Sequence, residues 1–417
     1  MNEIIKQRID TVRRGEVPEG YLRTRAGIMP TDWPTKTLAK DVFKSHTNKK
    51  HGGAYEVLSA TQDRGIIPRK DVDIDIKYDE ENISSYKKVD KGDFVISLRS
   101  FQGGIEYSEY EGLVSPAYTV LKAIKPIDDN YYRAYFKTAD FIKRLNGAVY
   151  GIRDGKQIGF EDFGDLAIHY PPLAEQQKIA EILSTCDRVI ELKQQLLDEK
   201  RKQKQWLMQM LLDPDSGVRL PGFEEVEWVD VLLGDECNMF SGGTPKAGKD
   251  EYYVDGTIPF IRSGEISDTS TELFLTVLGY ENCSAKMVEA GDILYALYGA
   301  NSGDCSISKM NGAINQAILC IRPKTLNREL LYHVLCMLKE KIVSTYLQGG
   351  QGNLSAEIIK KLVVTVPYNS KYQQAIVGKL AIADKEIDLY ENELSAWQQK
   401  KKALMQLLLT GLVRVNA

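Results

Sequence analysis

The sequence predicts an α+β protein: two mixed, β-rich domains in a pseudo-twofold arrangement, joined by two long helices that pair as an antiparallel coiled coil. Three observations lead there. Residues 372–409 repeat residues 175–212 without a gap, sharing Gln176/Gln373, Gln177/Gln374, Ile179/Ile376, Leu183/Leu380, Asp187/Asp384, Leu197/Leu394, Met208/Met405 and Gln209/Gln406. Both copies space their apolar residues 4-3-4-3, the seam of a coiled coil. The region before each copy consists of short β-branched runs broken by Gly and Asp, such as VLSA, FVISL and LVSPAYTVLKAI in the first and ILYALY and AINQAILCI in the second.

In chain order, residues 1–32 start with a short amphipathic helix carrying Ile4, Ile5, Ile9 and Val12, and run through Gly27 to Trp33. They resemble the stretch MLLDPDSGVRLPGF that carries the first long helix into Trp228, whereas the second long helix ends at LLLTGLVRV. The segment is therefore expected to dock beside the C-terminal helix and complete the second half. Residues 33–170 and 228–366 are the two β-rich domains. They are weakly similar: Trp33–Leu38 faces Trp228–Leu233, Gly92–Val95 faces Gly291–Leu294, Gly112–Val120 faces Gly312–Cys320, and Ile158–Glu161 faces Leu354–Glu357. Helices are expected near 131–145 and 328–347. The strands Leu166–Ile168 and Leu362–Val364 lead into proline. Trp33 and Trp228 read as core anchors.

The first long helix, 171–213, follows Pro171-Pro172 and puts Ile179, Leu183, Ile190, Leu197, Leu207 and Leu211 on its seam, with Lys193, Lys200 and Lys204 at seam positions too. A linker, 214–227, leads to the second domain. The second helix, 367–412, places Ile376, Leu380, Ile387, Leu394, Leu404 and Leu408 on the matching seam, before a tail at 413–417. Each repeated segment would extend about 57 Å at 1.5 Å per residue.

Lys+Arg total 54 against Asp+Glu 58, a net charge of -4 on 417 residues. That excludes a histone-like positive coat, so any nucleic-acid binding must come from local basic patches. No run approaches the roughly 18 apolar residues of a membrane span, and MNEIIKQRIDTVRRGE has no apolar stretch like that of a secretory signal. The six cysteines form no CxxC pair and read as small buried residues of a reducing cytoplasm.

Catalytic patterns fail on inspection. GTPKAGKD has Gly243, Gly248 and Lys249 at phosphate-loop spacing, but Asp250 stands where Ser or Thr is required and the following EYYVDGTIPF looks extended. His46, His51, His169 and His333 form no metal or nucleophile pattern. Asp71, Asp73 and Asp75 share one face of a strand and could hold a metal, though a solvated face explains them as well. Two similar but divergent domains at the ends of a rigid helix pair suit instead the reading of two separated elements, such as half-sites on duplex DNA.

The chain is here similar to the specificity (S) subunits of type I restriction–modification enzymes, over almost its full length. Pro171-Pro172-Leu173-Ala174-Glu175-Gln176-Gln177-Lys178-Ile179, the repeated helix at 372–409, Phe240–Pro245 with Ile258–Gly264, Gly103-Gly104-Ile105 and Gly112–Tyr118 carry the resemblance. The second helix entry, Val366-Pro367-Tyr368-Asn369, departs from it by lacking the double proline. The resemblance implies a non-catalytic subunit without cofactor or metal. Its two target-recognition domains would each bind half of a bipartite, asymmetric site in the major groove of double-stranded DNA. The helices would act as a ruler and recruit two methyltransferase (M) subunits. Two restriction and translocation (R) subunits would complete the enzyme, with S-adenosylmethionine, ATP and magnesium held by these partners.

DNA contacts need Arg, Asn, Gln, Ser or Thr on loops for bases and Lys or Arg for phosphates. In the first domain Thr61, Gln62, Arg64, Arg99, Ser100, Gln102, Tyr150, Arg153, Lys156 and Gln157 fit, with Lys49 and Lys50 for phosphates. In the second, Ser241, Thr244, Lys246, Arg262, Ser263, Asn301, Gln348 and Gln351 fit. The charged run Asp198–Lys204 of the first helix reads either as a solvated face or as a surface toward the DNA spacer or a methyltransferase subunit. Three alternatives stand beside this reading: the specificity subunit of a related bipartite-site system, a non-enzymatic coiled-coil scaffold, and a nucleotide-binding enzyme using Lys249.

Overall fold

Two helices of 40 residues each, Leu173–Leu212 and Ser370–Leu409, dominate the computed structural model of the chain. The structure describes residues 3–48, 55–72, 80–98, 100–148, 158–246, 248–347 and 353–415. Burial along both helices follows the heptad period. Ile179, Leu183, Leu197, Leu211, Ile376, Leu380, Leu394 and Leu408 are buried, and Ile190, Leu207, Ile387 and Leu404 are half-buried. The chain forms two compact units, Met1–Gln194 with Glu393–Ala417 and Gln195–Asn392, so the division falls in the middle of both helices. Each unit holds the first part of one helix and the last part of the other. No helix of the described residues is long and apolar enough to cross a membrane.

The helices run antiparallel in each unit, as the ion pairs across the seam record. In the first unit Lys401 pairs with Asp187, and Lys193 with Glu393 at 2.5 Å. In the second, Lys200 meets Glu386 at 2.7 Å, Arg201 meets Glu391 at 2.7 Å, and Lys204 meets Asp384. The seam lysines thus lie along the interface with their stems covered and their ammonium groups on acids of the other helix. Within the charged run Asp198, Glu199, Arg201, Lys202 and Gln203 are exposed, in keeping with a solvated face. Lys200, Arg201 and Lys204 engage the partner helix, and Lys202 engages Glu199 on its own.

The first unit is built on a four-stranded antiparallel sheet in the order Phe43–Ser45, Thr119–Ala123, Phe94–Ile96, Glu106–Tyr107. Two further strand pairs, Leu58–Thr61 with Gly65–Pro68 and Lys87–Val89 with Gly112–Val114, stand beside it. Its core is aromatic: Phe43, Phe94, Tyr132, Phe136, Phe141 and Phe163 are fully buried. Ile179 and Leu183 of the first helix and Leu408 and Leu409 of the second close that core, each such side chain stabilising it by about 1.5–3 kcal/mol. The single helix expected at 131–145 is two, Asp129–Tyr135 and Ala139–Ala148, because the Thr138 hydroxyl accepts the Phe141 amide and starts a new helix. The strand expected at 166–168 is only a bridge from Ala167 to Leu38.

Residues 3–32, expected beside the C-terminal helix as part of the second half, pack against the end of that helix, which belongs to the first unit. Tyr21 donates to the Gly411 carbonyl at 2.7 Å, and Arg414 pairs with Asp32 and Glu175, each at 2.8 Å. Trp33, fully buried, donates its indole N–H to Glu175 at 2.9 Å. Gly411 has φ +70° and lies so close to Pro30 that a Cβ would stand 2.6 Å from its ring, so only glycine fits.

The second unit repeats the sheet in the same order: Cys237–Ser241, Ile318–Pro323, Ile293–Ala296, Cys305–Ile307. A smaller sheet follows, ordered Phe274–Leu275, Ile258–Ile261, Gly312–Ile314, Lys286–Val288. Trp228–Leu232 pairs with Val363–Pro367, and the helix Arg328–Tyr346 buries Leu330, Leu331, Val334 and Leu335 against Leu211, Ile376 and Leu380 of the long helices. Trp228 is only half-buried, beneath the Arg219 guanidinium.

Candidate nucleic-acid interface

In the second unit, one end of the smaller sheet, at its two central strands, gathers several of the side chains expected to read DNA. Ile258–Ile261 and Gly312–Ile314 run parallel, with Ile261 beside Ile314, so Arg262-Ser263 and Asn315-Gln316 leave the sheet at the same end. Lys286 starts the antiparallel strand opposite Ile314 at that end. The loop after Ser241 passes close by: a Cβ on Gly242 would lie 1.8 Å from the Ile314 carbonyl oxygen, and one on Gly243 would lie 1.9 Å from the Ser284 hydroxyl. These glycines let Thr244 reach Gln316, donating to its Oε1 at 2.8 Å. Asn301 joins from the next turn, its amide nitrogen 3.4 Å from where a Gly264 side chain would begin.

Not all the expected residues are available there. Arg262 is held by Glu265 at 2.6 Å and by Glu272 at 2.8 Å. The guanidinium holds the Glu265 carboxyl down to about 2, and the Thr271 hydroxyl adds to the effect. The Ser241 hydroxyl is buried, with no partner among the described residues, so it does not present itself to a groove. Lys246, Lys286 and Lys309 are exposed and form no ion pair among the described residues. Lys309 lines a polar groove with Arg262, Glu265 and residues 267–272.

In the first unit the hairpin tip and a helical turn meet. Thr61 shapes the tip by donating to the Gly65 carbonyl at 2.9 Å and accepting the Arg64 amide at 3.2 Å. Gln62 is exposed and lies against Gly103, where a Cβ would stand 2.8 Å from its Cγ. Gln102 is exposed on the adjoining turn. Arg64 spends one N–H on the Asp71 carbonyl at 3.1 Å. Ser100 is a correction: it is buried, and its hydroxyl accepts the Ser97 amide at 2.9 Å, a turn-forming role that leaves nothing for a base.

Lys49, Lys50, Arg99, Tyr150, Arg153, Lys156, Gln157, Gln348 and Gln351 lie outside the described residues, as do Asp73 and Asp75. Asn353, just beyond Gln351, bridges to Tyr298. Lys249 bonds Glu251 at 3.2 Å and Tyr252 at 3.1 Å, and only one 3-10 turn, Asp250–Tyr252, follows it. No helix N-terminus stands there to hold a phosphate. Sequence reasoning missed Gln316 and Lys286. Gln316 lies in AINQAILCI, read as one β-branched run, but Asn315 breaks the run by accepting the Ala317 amide at 2.9 Å. That Asn between apolar residues was the available signal.

Comparison with known proteins supplies a context. The family model described as "Type I restriction modification DNA specificity domain" matches residues 30–199 and again residues 225–396. A Methanocaldococcus jannaschii protein whose name assigns it to the specificity subunit of the type I restriction enzyme MjaX is 26% identical, over 95% of this chain and 97% of that one. The Escherichia coli EcoR124I/EcoR124II specificity subunit is 27% identical over 49% of this chain and 50% of its own. The type I restriction–modification S subunit from M. genitalium has the same fold, with a TM-score of 0.54 at 16% identity, covering 93% of this chain and 99% of that one. A chain from a structural study of complex assembly in a type I R-M system gives a TM-score of 0.60 at 15% identity, covering 92% and 100%.

Proposed function

The chain belongs to the type I restriction–modification DNA specificity family, and we propose that it serves there as the DNA-recognition subunit, each unit reading one half of a bipartite, asymmetric duplex site. One observation carries this reading. The family match falls twice, on two units that share a sheet order but differ in the side chains on the loops leaving their strands. Where the second unit has Gln316, the first has Pro116, and the first offers Gln62 and Gln102 on a hairpin and turn of its own. A shared frame with different reading groups fits two unlike half-sites.

In this reading the uncommitted Lys246, Lys286 and Lys309 meet phosphates, Thr61, Gln62, Arg64, Gln102, Ser263 and Asn301 meet base edges, and Thr244 holds the neighbouring Gln316 in place. Lys49, Lys50, Arg99, Tyr150, Arg153, Lys156, Gln157, Gln348 and Gln351 are further contacts of this reading. Arg262 would read a guanine only after giving up Glu272, whose side chain is 86% exposed. The chain supplies recognition and no catalytic group. Methyltransferase subunits with S-adenosylmethionine and ATP-driven restriction subunits with magnesium would act on the bound duplex, in the cytoplasm where the DNA is. With a net charge of -4, the subunit alone should bind weakly and with steep salt dependence.

The test is the methylation pattern of a host that carries this gene and its partner genes. A bipartite motif with a fixed gap, lost on deletion of this gene, is expected. Methylation without such a motif, or a motif that survives the deletion, rejects the reading.

A further inference from the structure

We propose that Gln316 determines specificity in the second unit, reading the adenine of an A·T pair in the half-site that this unit contacts. The proposal rests on the DNA-recognition reading above and adds a residue and a base to it.

The geometry is that of a reading group set in advance. Gln316 is exposed at the tip of a turn leaving the end of a central strand, and the turn is fixed on both sides. Asn315 accepts the Ala317 amide at 2.9 Å, and the Ala317 carbonyl accepts the Leu297 amide at 2.8 Å. The side chain is fixed as well, because the Thr244 hydroxyl donates to Oε1 at 2.8 Å. A carboxamide oxygen has two lone pairs and its nitrogen two N–H groups. With one lone pair taken by Thr244, Gln316 keeps one acceptor and both donors side by side. Adenine presents the complement in the major groove, an N6 amino donor next to the N7 acceptor, and a Gln amide reads that pair with two hydrogen bonds. Guanine presents two acceptors there and would leave Oε1 facing an oxygen.

The surroundings fit a duplex. Lys286 and Lys246, both exposed and without an ion pair among the described residues, flank the turn and the Thr244 loop. The loop can come this close only because Gly242 and Gly243 lack side chains. Thr244 is therefore a positioning residue, acting on the base through Gln316.

Gln316→Ala, Gln316→Glu and Thr244→Val are each expressed with the partner subunits in a host free of other methylation, and the methylated motif is read from its genome. Gln316→Ala should make one A·T position degenerate, with discrimination there falling about tenfold or more, the worth of a bidentate contact. The other half-site and the gap should stay as they are. Gln316→Glu should move the preference at that position toward C·G, since a carboxylate accepts from the cytosine amino group. Thr244→Val should relax the same position and no other. An unchanged motif in both Gln316 variants overturns the proposal and leaves the DNA-recognition reading intact. So does a change confined to a G·C position. Absence of any bipartite motif in the unaltered system overturns both.

Discussion

Gln176 and Gln373 make the same pair of hydrogen bonds in the two units. Gln176 donates to the Pro171 carbonyl at 2.8 Å and accepts the Asp128 amide at 3.0 Å. Gln373 donates to the Pro367 carbonyl at 2.8 Å and accepts the Asn327 amide at 3.1 Å. Both are buried. Asp128 and Asn327 are the N-caps of the helices Asp129–Tyr135 and Arg328–Tyr346. Each glutamine therefore ties three things together: the start of a long helix, the proline before it, and the cap of a domain helix.

Replacing either glutamine by Leu keeps the volume and removes both bonds, leaving a buried C=O and a part-buried N–H unpaired. The cost should be about 1–3 kcal/mol per orphaned group. Gln176→Leu should lower the hydrogen-exchange protection of Asp129–Tyr135 and spare Arg328–Tyr346, and Gln373→Leu should do the reverse. Equal loss of protection in both helices from either variant would contradict the assignment.

The two glutamines were visible in the sequence as a repeat, but their partners were not. The long helices were legible because burial alone sets a 4-3 period, and Ile179, Leu183, Ile376 and Leu380 sit where that period puts them. The seam lysines were legible as departures from it. Their acids, Glu386, Glu393, Asp384 and Asp187, depend on how the helices align, which no single helix encodes. The sheet end that joins Arg262 to Gln316 was hidden for the same reason. It comes from a parallel pairing between strands about fifty residues apart, and the parallel neighbours of a strand leave little mark on a short apolar run. Ser100 misled because a buried turn hydroxyl and an exposed reading hydroxyl look alike in sequence.

Arg414 fastens the N-terminal segment to the end of the second long helix. Among the described residues, Arg414→Ala leaves the buried Glu175 carboxylate with the Trp33 N–H alone. The cost should be about 2–3 kcal/mol, less than a wholly buried pair because the arginine is 32% exposed. Limited proteolysis should cut between residues 15 and 30 sooner in this variant. Glu175→Gln, which keeps an acceptor for Trp33 and removes the charge, should be milder. Equal cutting rates in all three proteins would show that the salt bridge does not hold the segment.

His333 gives the second unit a pH dependence. Burial, with Lys204 nearby, holds the imidazole down to about 4, against a weaker pull upward from Asp384, whose carboxylate is 3.9 Å away. The unfolded ring titrates near 6.5, so the unfolded chain binds more protons between those values. The stability associated with the neutral ring is present above about 6.5 and falls as the pH drops toward 4, by up to about 3 kcal/mol. His333→Leu removes that titration. Subtracting its unfolding free energies from those of the unaltered protein between pH 7 and 4 isolates the histidine from the carboxylates. A difference that stays flat across that range would refute the linkage.

The long helices offer a direct test of the spacer. Lys193–Glu393 and Lys200–Glu386 are cross-helix pairs seven residues apart on both helices. Seven residues inserted between the two pairs in one helix alone keep that helix's seam in phase. They also lengthen it by about 10 Å at 1.5 Å per residue, so both pairs cannot form together. Recognition of the bipartite site should be lost. The same insertion in both helices restores both pairs. If the helices set the distance between half-sites, the methylated motif should keep its two halves and widen its gap by about 3 base pairs at 3.4 Å each. A motif with the original gap in the doubly lengthened protein would show that the spacing is set elsewhere.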